Sequence, residues 1–192
     1  MECVMNGDYE NRLNDVLYEL LQIRKWINKN QKEVFTKYLI SYAVMKSCAR
    51  IEVIIKEIVY NFLAENGNSY AQNFISHHII DKSTNPSAYK ISKLVRTFSK
   101  EIYINFKEKI KKSSNIESDI NSLVNLRNDF AHGRDITVSI DTVITYYKSA
   151  IEVIILLQKA LKLENVIDKN NINASNEFTK DEQIRDYIDN FT

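Results

Sequence analysis

Apolar residues recur at alternating intervals of three and four positions along most of this chain of 192 residues, which is the spacing of one face of an α-helix. In the first such stretch, Leu13, Val16 and Leu17 begin a stripe that continues to Ile27. The pattern predicts helices, in chain order, at about 8–28, 34–65, 70–80, 87–112 with a break near Ser99, 116–132, 140–163 and, after Thr179, one short terminal helix.

Capping residues support several of these boundaries. Asp8 and Ser139 carry side-chain oxygens that suit the first position of a helix. Gly133 suits the left-handed conformation in which many helices end. Thr-Lys-Asp-Glu at 179–182 is typical of a capping box, and the loop predicted at 81–87 contains the only proline.

Glycine and proline together supply only 4 of the 192 residues, far below the roughly 12% of average proteins. Sheet-containing folds need more turns than this allows, so we expect an all-α bundle of about five to seven helices. Residues 1–164 are expected to form the helical domain, and residues 165–192 a polar tail. The apolar stripe of this tail either docks on the domain or binds a partner; it consists of Ile184, Tyr187, Ile188 and Phe191.

The net charge of +1 gives no overall field that would attract nucleic acid or a membrane. Cys3 and Cys48 are isolated, the chain opens without a secretory pattern, and no run of about 18 apolar residues occurs. These features predict a cytoplasmic protein that does not enter a membrane. His77 and His78 are adjacent and would diverge on a helix, so we expect no metal site and no cofactor.

Local charge is uneven. Residues 90–112 contain eight basic and two acidic residues, a net charge of +6, whereas residues 163–192 have a net charge of −4. Solvated helix faces are the favoured interpretation. The alternative is that the basic segment follows an RNA backbone, with Lys90, Lys93, Arg96 and Lys100 as candidate contacts. Phe98, Tyr103 and Phe106 in this segment either stack on bases or, as favoured by their spacing, belong to the core.

A polar cluster interrupts the segment LVNLRNDFAHGRD at 123–135. Helical geometry places Arg127 within the apolar stripe formed with Ile120 and Leu123, where a guanidinium needs an acid, carbonyl groups or a phosphate. Asn128 and His132 are four residues apart and share a face, so the Asn128 amide is positioned to orient the His132 ring.

Glu52 lies at the edge of the apolar stripe of the second predicted helix. A half-buried acid and a buried arginine predict an Arg127–Glu52 ion pair. For an isolated pair, the favoured interpretation is that it simply joins two helices. That interpretation leaves Asn128 and His132, both within about one turn of Arg127, without an explanation.

The motif Arg127-Asn128-Asp129-Phe130-Ala131-His132-Gly133 resembles the R-x-x-x-x-H signature of the HEPN superfamily in its "RN…AHG" form. The resemblance covers roughly residues 34–160. The long helix, the NPSAYKISKLVRTF segment, the motif helix and the apolar helix after it follow in the family's order. The bare R-x-x-x-x-H motif is weakly specific. The same motif at a helix end, followed by a capped apolar helix, is more specific.

The resemblance implies an HEPN-like bundle that forms a homodimer through the motif helices and cleaves RNA without a metal. Arg127 and His132 would then be catalytic, with Asn128 in the same site and Glu52, Asp129 and Arg134 in support. It also implies a toxin or antiviral-defence effector, with an antitoxin or another defence protein as partner. Some HEPN toxins carry a tyrosine two residues after the histidine that a partner enzyme modifies; Arg134 replaces it here, which puts that route in doubt.

Two alternatives to a ribonuclease stay open on the sequence. One is an HEPN-like module that binds RNA or a protein without cleaving, and the other is a scaffolding subunit. The presence of both Arg127 and His132 favours the enzyme over either alternative.

Overall fold

The computed structural model of the protein describes residues 6–30, 33–65, 67, 79, 85–113 and 115–172. Within these ranges the elements are α-helices and one 3-10 helix, and no strand occurs, which confirms the predicted all-α fold. They are α1 (Asn6–Asn30), α2 (Glu33–Glu65), α3 (Ala88–Phe98), α4 (Lys100–Lys112), α5 (Ile116–Ala131), α6 (Ile140–Ala160) and the 3-10 helix (Lys169–Asn171). The helices predicted at 70–80 and after Thr179 lie outside the described residues.

The predicted helix boundaries agree with these elements to within a few residues. The break at Ser99 is confirmed: its backbone is extended, and its hydroxyl accepts a hydrogen bond from the first turn of α4. Ser139 caps α6 in the same way, accepting from the Thr142 amide at 3.1 Å. α6 ends at Ala160 rather than near Leu163, because Lys162 adopts a left-handed conformation with φ of 57°.

α6 is the central helix of the bundle. It packs against α1, α2, α4 and α5, and its most extensive contact is with α5. Buried side chains occupy most of its circumference, as expected for a helix enclosed by others. The Tyr147 hydroxyl donates to the carbonyl of Leu13 in α1, which satisfies the one polar group of a fully buried ring.

A bidentate ion pair joins the two long helices on the outside of the bundle. Arg12 of α1 contacts both carboxylate oxygens of Glu57 in α2, at 2.6 and 3.0 Å. Such two-point pairing fixes orientation as well as distance. None of the helices in the described ranges has the length and hydrophobicity needed to cross a membrane.

Residues 161–172, which follow α6, pack back onto α1. Ile167 is buried, and its amide donates to the side chain of the buried Gln158. Further along, the amide of Asp168 donates to Glu10 of α1. The first part of the segment that we assigned to the polar tail therefore lies against the helical domain.

Candidate functional site

The motif lies where α5 leaves the core. The buried side chains of this helix all lie between its start and Val124: Ile116, Ile120, Leu123 and Val124. Arg127 is half-buried, and Phe130 is 40% exposed. The buried stripe ends about one turn before Arg127, so Phe130 is not part of it. The guanidinium is therefore at the margin of the core rather than at its centre.

Three contacts from α5 to other helices fix its direction. The Ser149 hydroxyl of α6 donates to Asp119 at 2.6 Å. The Asn121 side chain accepts from the backbone amide of Ala88, at the start of α3. The buried Cys48 thiol of α2 donates to the carbonyl of Leu123 at 3.5 Å. The first half of α5 is thus held from three sides, before the half that carries the motif leaves the core.

Asn128 forms the centre of the hydrogen-bonded part of the site. Its side-chain oxygen accepts from Asn85 Nδ2 at 2.8 Å and from Arg127 Nη1 at 3.3 Å. Asn85 directly precedes Pro86 and the Ser87 cap of α3. Asn128 therefore links the motif to the start of α3, and it does not bond to the His132 ring as we predicted.

The predicted ion pair between Arg127 and Glu52 is wrong. Glu52 instead contacts Lys56 at 2.8 Å, one turn further along α2. Pairs four residues apart on one helix face are already neighbours, whereas a pair between helices must fix two side chains across a gap. Over the described residues, Arg127 makes no ion pair with a carboxylate.

The charges of Arg127 and Glu52 both act on Cys48. Burial raises the pKa of the Cys48 thiol to about 12, a shift that Arg127 opposes and Glu52 increases. The two side chains thus lie in one neighbourhood although they do not pair. The thiol itself is a buried, protonated core group at neutral pH.

His132 is the last residue of the motif and the C-cap of α5. Its side chain is exposed, and in the described part of the chain its ring has no hydrogen-bond partner. Gly133 follows with φ of 74°. The amides of Gly133 and Arg134 donate to the carbonyls of Phe130 and Asp129, at 3.0 and 2.8 Å, which is the bonding pattern of a Schellman motif.

Asp129 and Arg134 stabilise this turn. Arg134 Nη1 contacts Asp129 Oδ1 at 2.7 Å, in addition to the backbone hydrogen bond between the same residues. Both side chains are accessible to solvent, so the pair contributes little free energy by itself. Its geometric effect is to fix the turn that follows His132.

A cavity of about 250 Å³ opens beside this turn. The start of α2 forms one wall, including Lys37 and Tyr38, and Phe130 with the turn after α5 forms the other. The cavity is thus lined by Phe130 and Gly133, the residues that flank Ala131 and His132 in the motif.

The four candidate basic contacts divide into two groups. Lys90 lines a small cavity together with Glu52 and Asn85, which places it in the neighbourhood of Asn128. Lys93, Arg96 and Lys100 are exposed along α3 and the first residue of α4. The structure therefore connects one of the four to the motif, and the others extend a basic surface away from it.

The aromatic residues of the basic segment serve mainly the core. Phe106 is fully buried, and Phe98 packs against Phe62 of α2 with ring centres 5.9 Å apart. Tyr103 is half-buried and has the cations of Arg96 and Lys107 within 5.9 Å of its ring centre. Of the three rings predicted as possible base-stacking groups, two are core residues and the third interacts with basic side chains.

Most of the chain matches a known protein family. A scan against protein families matches residues 8–163 to a family described as RiboL-PSP-HEPN. The chain belongs to this HEPN family. The match includes α1 from Asp8 and all of α2 to α6, so the superfamily inferred from the motif is confirmed. Searches of curated proteins and of solved structures each returned no match.

Asn85 also belongs to the site of this HEPN protein, although we did not predict it from the sequence. Its only signal was its position, immediately before a proline and the serine that caps α3. No spacing rule connects residue 85 to residue 128, because their contact depends on how α3 packs against α5. Among the described residues, no group of three or more metal-ligating side chains comes together.

Replacing Asn128 by alanine should destabilise the fold, whereas replacing His132 should not. Asn128→Ala leaves the part-buried Asn85 amide without its partner, a loss of about 1 to 2 kcal/mol in the free energy of unfolding. His132→Ala removes an exposed side chain and should change that free energy by less than about 0.5 kcal/mol. Urea unfolding followed by circular dichroism measures both. A large destabilisation by His132→Ala would mean that the ring has a structural role.

Proposed function

We propose that this HEPN protein is an endoribonuclease that cleaves RNA without a metal ion, in a site built around Arg127 and His132. The proposal rests on the burial and the bonding partners of these two side chains. Arg127 is half-buried without a carboxylate partner among the described residues, and the nearby His132 ring is exposed without a hydrogen bond. A phosphate between them would neutralise the first and engage the second.

The reaction suited to these groups is attack by the RNA 2′-hydroxyl on the adjacent phosphate. A base removes the 2′ proton while the 2′ oxygen forms a bond to phosphorus. The bond from phosphorus to the 5′ oxygen breaks, and an acid gives that oxygen a proton. The products are a 2′,3′-cyclic phosphate and a 5′-hydroxyl. An imidazole can act as either the base or the acid, because its ordinary pKa lies near neutrality.

Arg127 would stabilise the additional negative charge that develops on the phosphate oxygens. Its Nη1 group donates to the Asn128 amide oxygen, which fixes the guanidinium plane and leaves its other donors for a phosphate. Asn128 is itself held by Asn85. We infer that Asn128 and Asn85 are positioning residues, acting on the substrate through Arg127.

A second copy of the chain completes this proposed site. Among the described residues one protomer provides a single imidazole, His132, whereas the reaction uses both a base and an acid. Phe130 supports a dimer through the motif helices, because it exposes 40% of a large apolar side chain two residues before His132. Pairing of two α5 helices would cover both Phe130 rings and bring the two histidines towards one cleft.

RNA binding would extend from this cleft along α3. Lys90 lies near Asn85 and Asn128, and Lys93, Arg96 and Lys100 continue as exposed cations. Such a row of cations suits the regular charge of a phosphate backbone. A nuclease of this kind requires restraint within its own cell, which agrees with a toxin or antiviral effector controlled by a partner protein.

Cleavage of single-stranded RNA and tRNA in EDTA by the purified protein should depend on both central residues. His132→Ala should reduce the rate by about 10² to 10⁴-fold, the usual contribution of a general acid or base. Arg127→Lys keeps the charge but loses the two-point donor geometry, and it should also impair cleavage. Gel analysis of end-labelled RNA measures the rates.

Arg24→Ala is the matched control, since Arg24 lies on α1 in an exposed pair with Asp141 and should not affect cleavage. Equal activity of the wild type and the His132→Ala variant would contradict the proposed site. RNA binding by all variants without any cleavage would favour the non-catalytic binding module.

Phe130→Asp should convert the dimer to a monomer and abolish cleavage together. The added carboxylates would face each other in the proposed interface, while the bundle should remain folded because Phe130 is outside its core. Light scattering after size-exclusion chromatography measures the oligomeric state. A monomeric Phe130→Asp variant that retains full activity would show that the cleft does not need two chains.

A further inference from the structure

A second surface with exposed apolar side chains adjoins the cavity beside the motif, and Tyr38 lines both. It is a groove of about 570 Å³ between the last turns of α1 and the first turns of α2. Its aromatic residues are exposed by 36% for Trp26, 58% for Phe35 and 68% for Tyr38. Trp26 and Phe35 meet edge to face, with ring centres 6.5 Å apart. Three large exposed rings at one place indicate a binding surface.

We propose that this groove binds the C-terminal segment of the same chain, residues 173–192, through the apolar face formed by Ile184, Tyr187, Ile188 and Phe191. These four residues have the spacing of one helix face and follow the capping box predicted at 179–182. This proposal goes beyond the ribonuclease function and does not depend on it.

The chain before this segment ends against α1, the helix whose last turns form one side of the groove. Asp168 donates to Glu10 of α1, and the carbonyl of Asn171 accepts from Asn14, which is one turn further along the same helix. The Asn171 side chain also donates to Glu10 at 3.0 Å, so the described chain ends against α1 beside Asn14. Lys25, which lines the groove, is on nearly the same face of α1 as Asn14, since eleven residues make about three turns.

The remaining length of chain is sufficient. From Asn14 to Trp26 is about 18 Å along the helix axis, at 1.5 Å per residue. The twelve residues from Ile172 to Ile184 span up to about 40 Å when extended. The apolar stripe can thus reach the groove without disturbing the contacts that hold residues 168–171.

The charges of the two surfaces are complementary. Lys25 and Lys29 line the groove. Residues 173–192 carry five acidic and two basic residues, a net charge of −3, and the acids closest to the stripe are Asp181, Glu182, Asp186 and Asp189. An amphipathic helix with an acidic polar face would complement a groove that is lined by aromatic rings and lysines.

Trp26 is the only tryptophan of the protein, so its fluorescence reports directly on the groove. Acrylamide quenching of the full-length chain should be about twofold weaker than that of an Ile188→Asp variant, because docking buries the indole that the variant leaves exposed. Asn190→Asp is the matched control: it adds the same carboxylate to a different side of the predicted terminal helix and should quench like the wild type. Lys25→Glu combined with Lys29→Glu should increase quenching in the same way as Ile188→Asp.

Two outcomes would overturn the proposal. Equal quenching of the wild type, Ile188→Asp and Asn190→Asp would show that the C-terminal segment does not cover the groove. Protection of Trp26 that is lost on dilution of the protein would assign the groove to a second copy instead. Protection that is independent of protein concentration and sensitive to Ile188→Asp supports docking within one chain.

Discussion

The geometry of the motif depends on how α5 packs against α6. Four buried side chains anchor α5 between Ile116 and Val124, and burial of each such side chain contributes about 1.5 to 3 kcal/mol. The Ser149–Asp119 hydrogen bond fixes the register of the two helices. The second half of α5 leaves the core, so polar groups can occupy it without the cost of full burial. A rigid element consequently holds both the half-buried arginine and the exposed histidine.

The fold was largely predictable from the sequence, because helix formation and burial leave local signals. The break at Ser99, the cap at Ser139 and the left-handed Gly133 each follow from the chemistry of one residue. Arg127, Asn128 and His132 were recognised as a unit because they lie within two turns of one helix. Predictions that needed the arrangement between helices were less successful: Glu52 pairs within its own helix, and Asn85 gave no signal of its contact with Asn128.

The distribution of hydrogen bonds explains how positioning and chemistry are divided in the proposed site. Asn128 has two partners and connects α5 with the start of α3, so it serves the structure as well as the arginine. Asp129 and Arg134 hold the turn after the helix. The His132 side chain makes no hydrogen bond in the described structure, which suits a group whose proton must move. Membership of the HEPN family agrees with separate positioning and reacting residues in the motif. The cleavage reaction itself is our proposal.

The most direct test of the account uses an oligonucleotide that is DNA except for one ribonucleotide, incubated with the protein in EDTA. A reaction that begins with attack by a 2′-hydroxyl can cut only after that ribonucleotide. We predict a single cut there, with a 2′,3′-cyclic phosphate on one fragment and a 5′-hydroxyl on the other, identified by mass spectrometry. Cleavage of the all-DNA strand, or a product with a 5′-phosphate, would contradict the central claim.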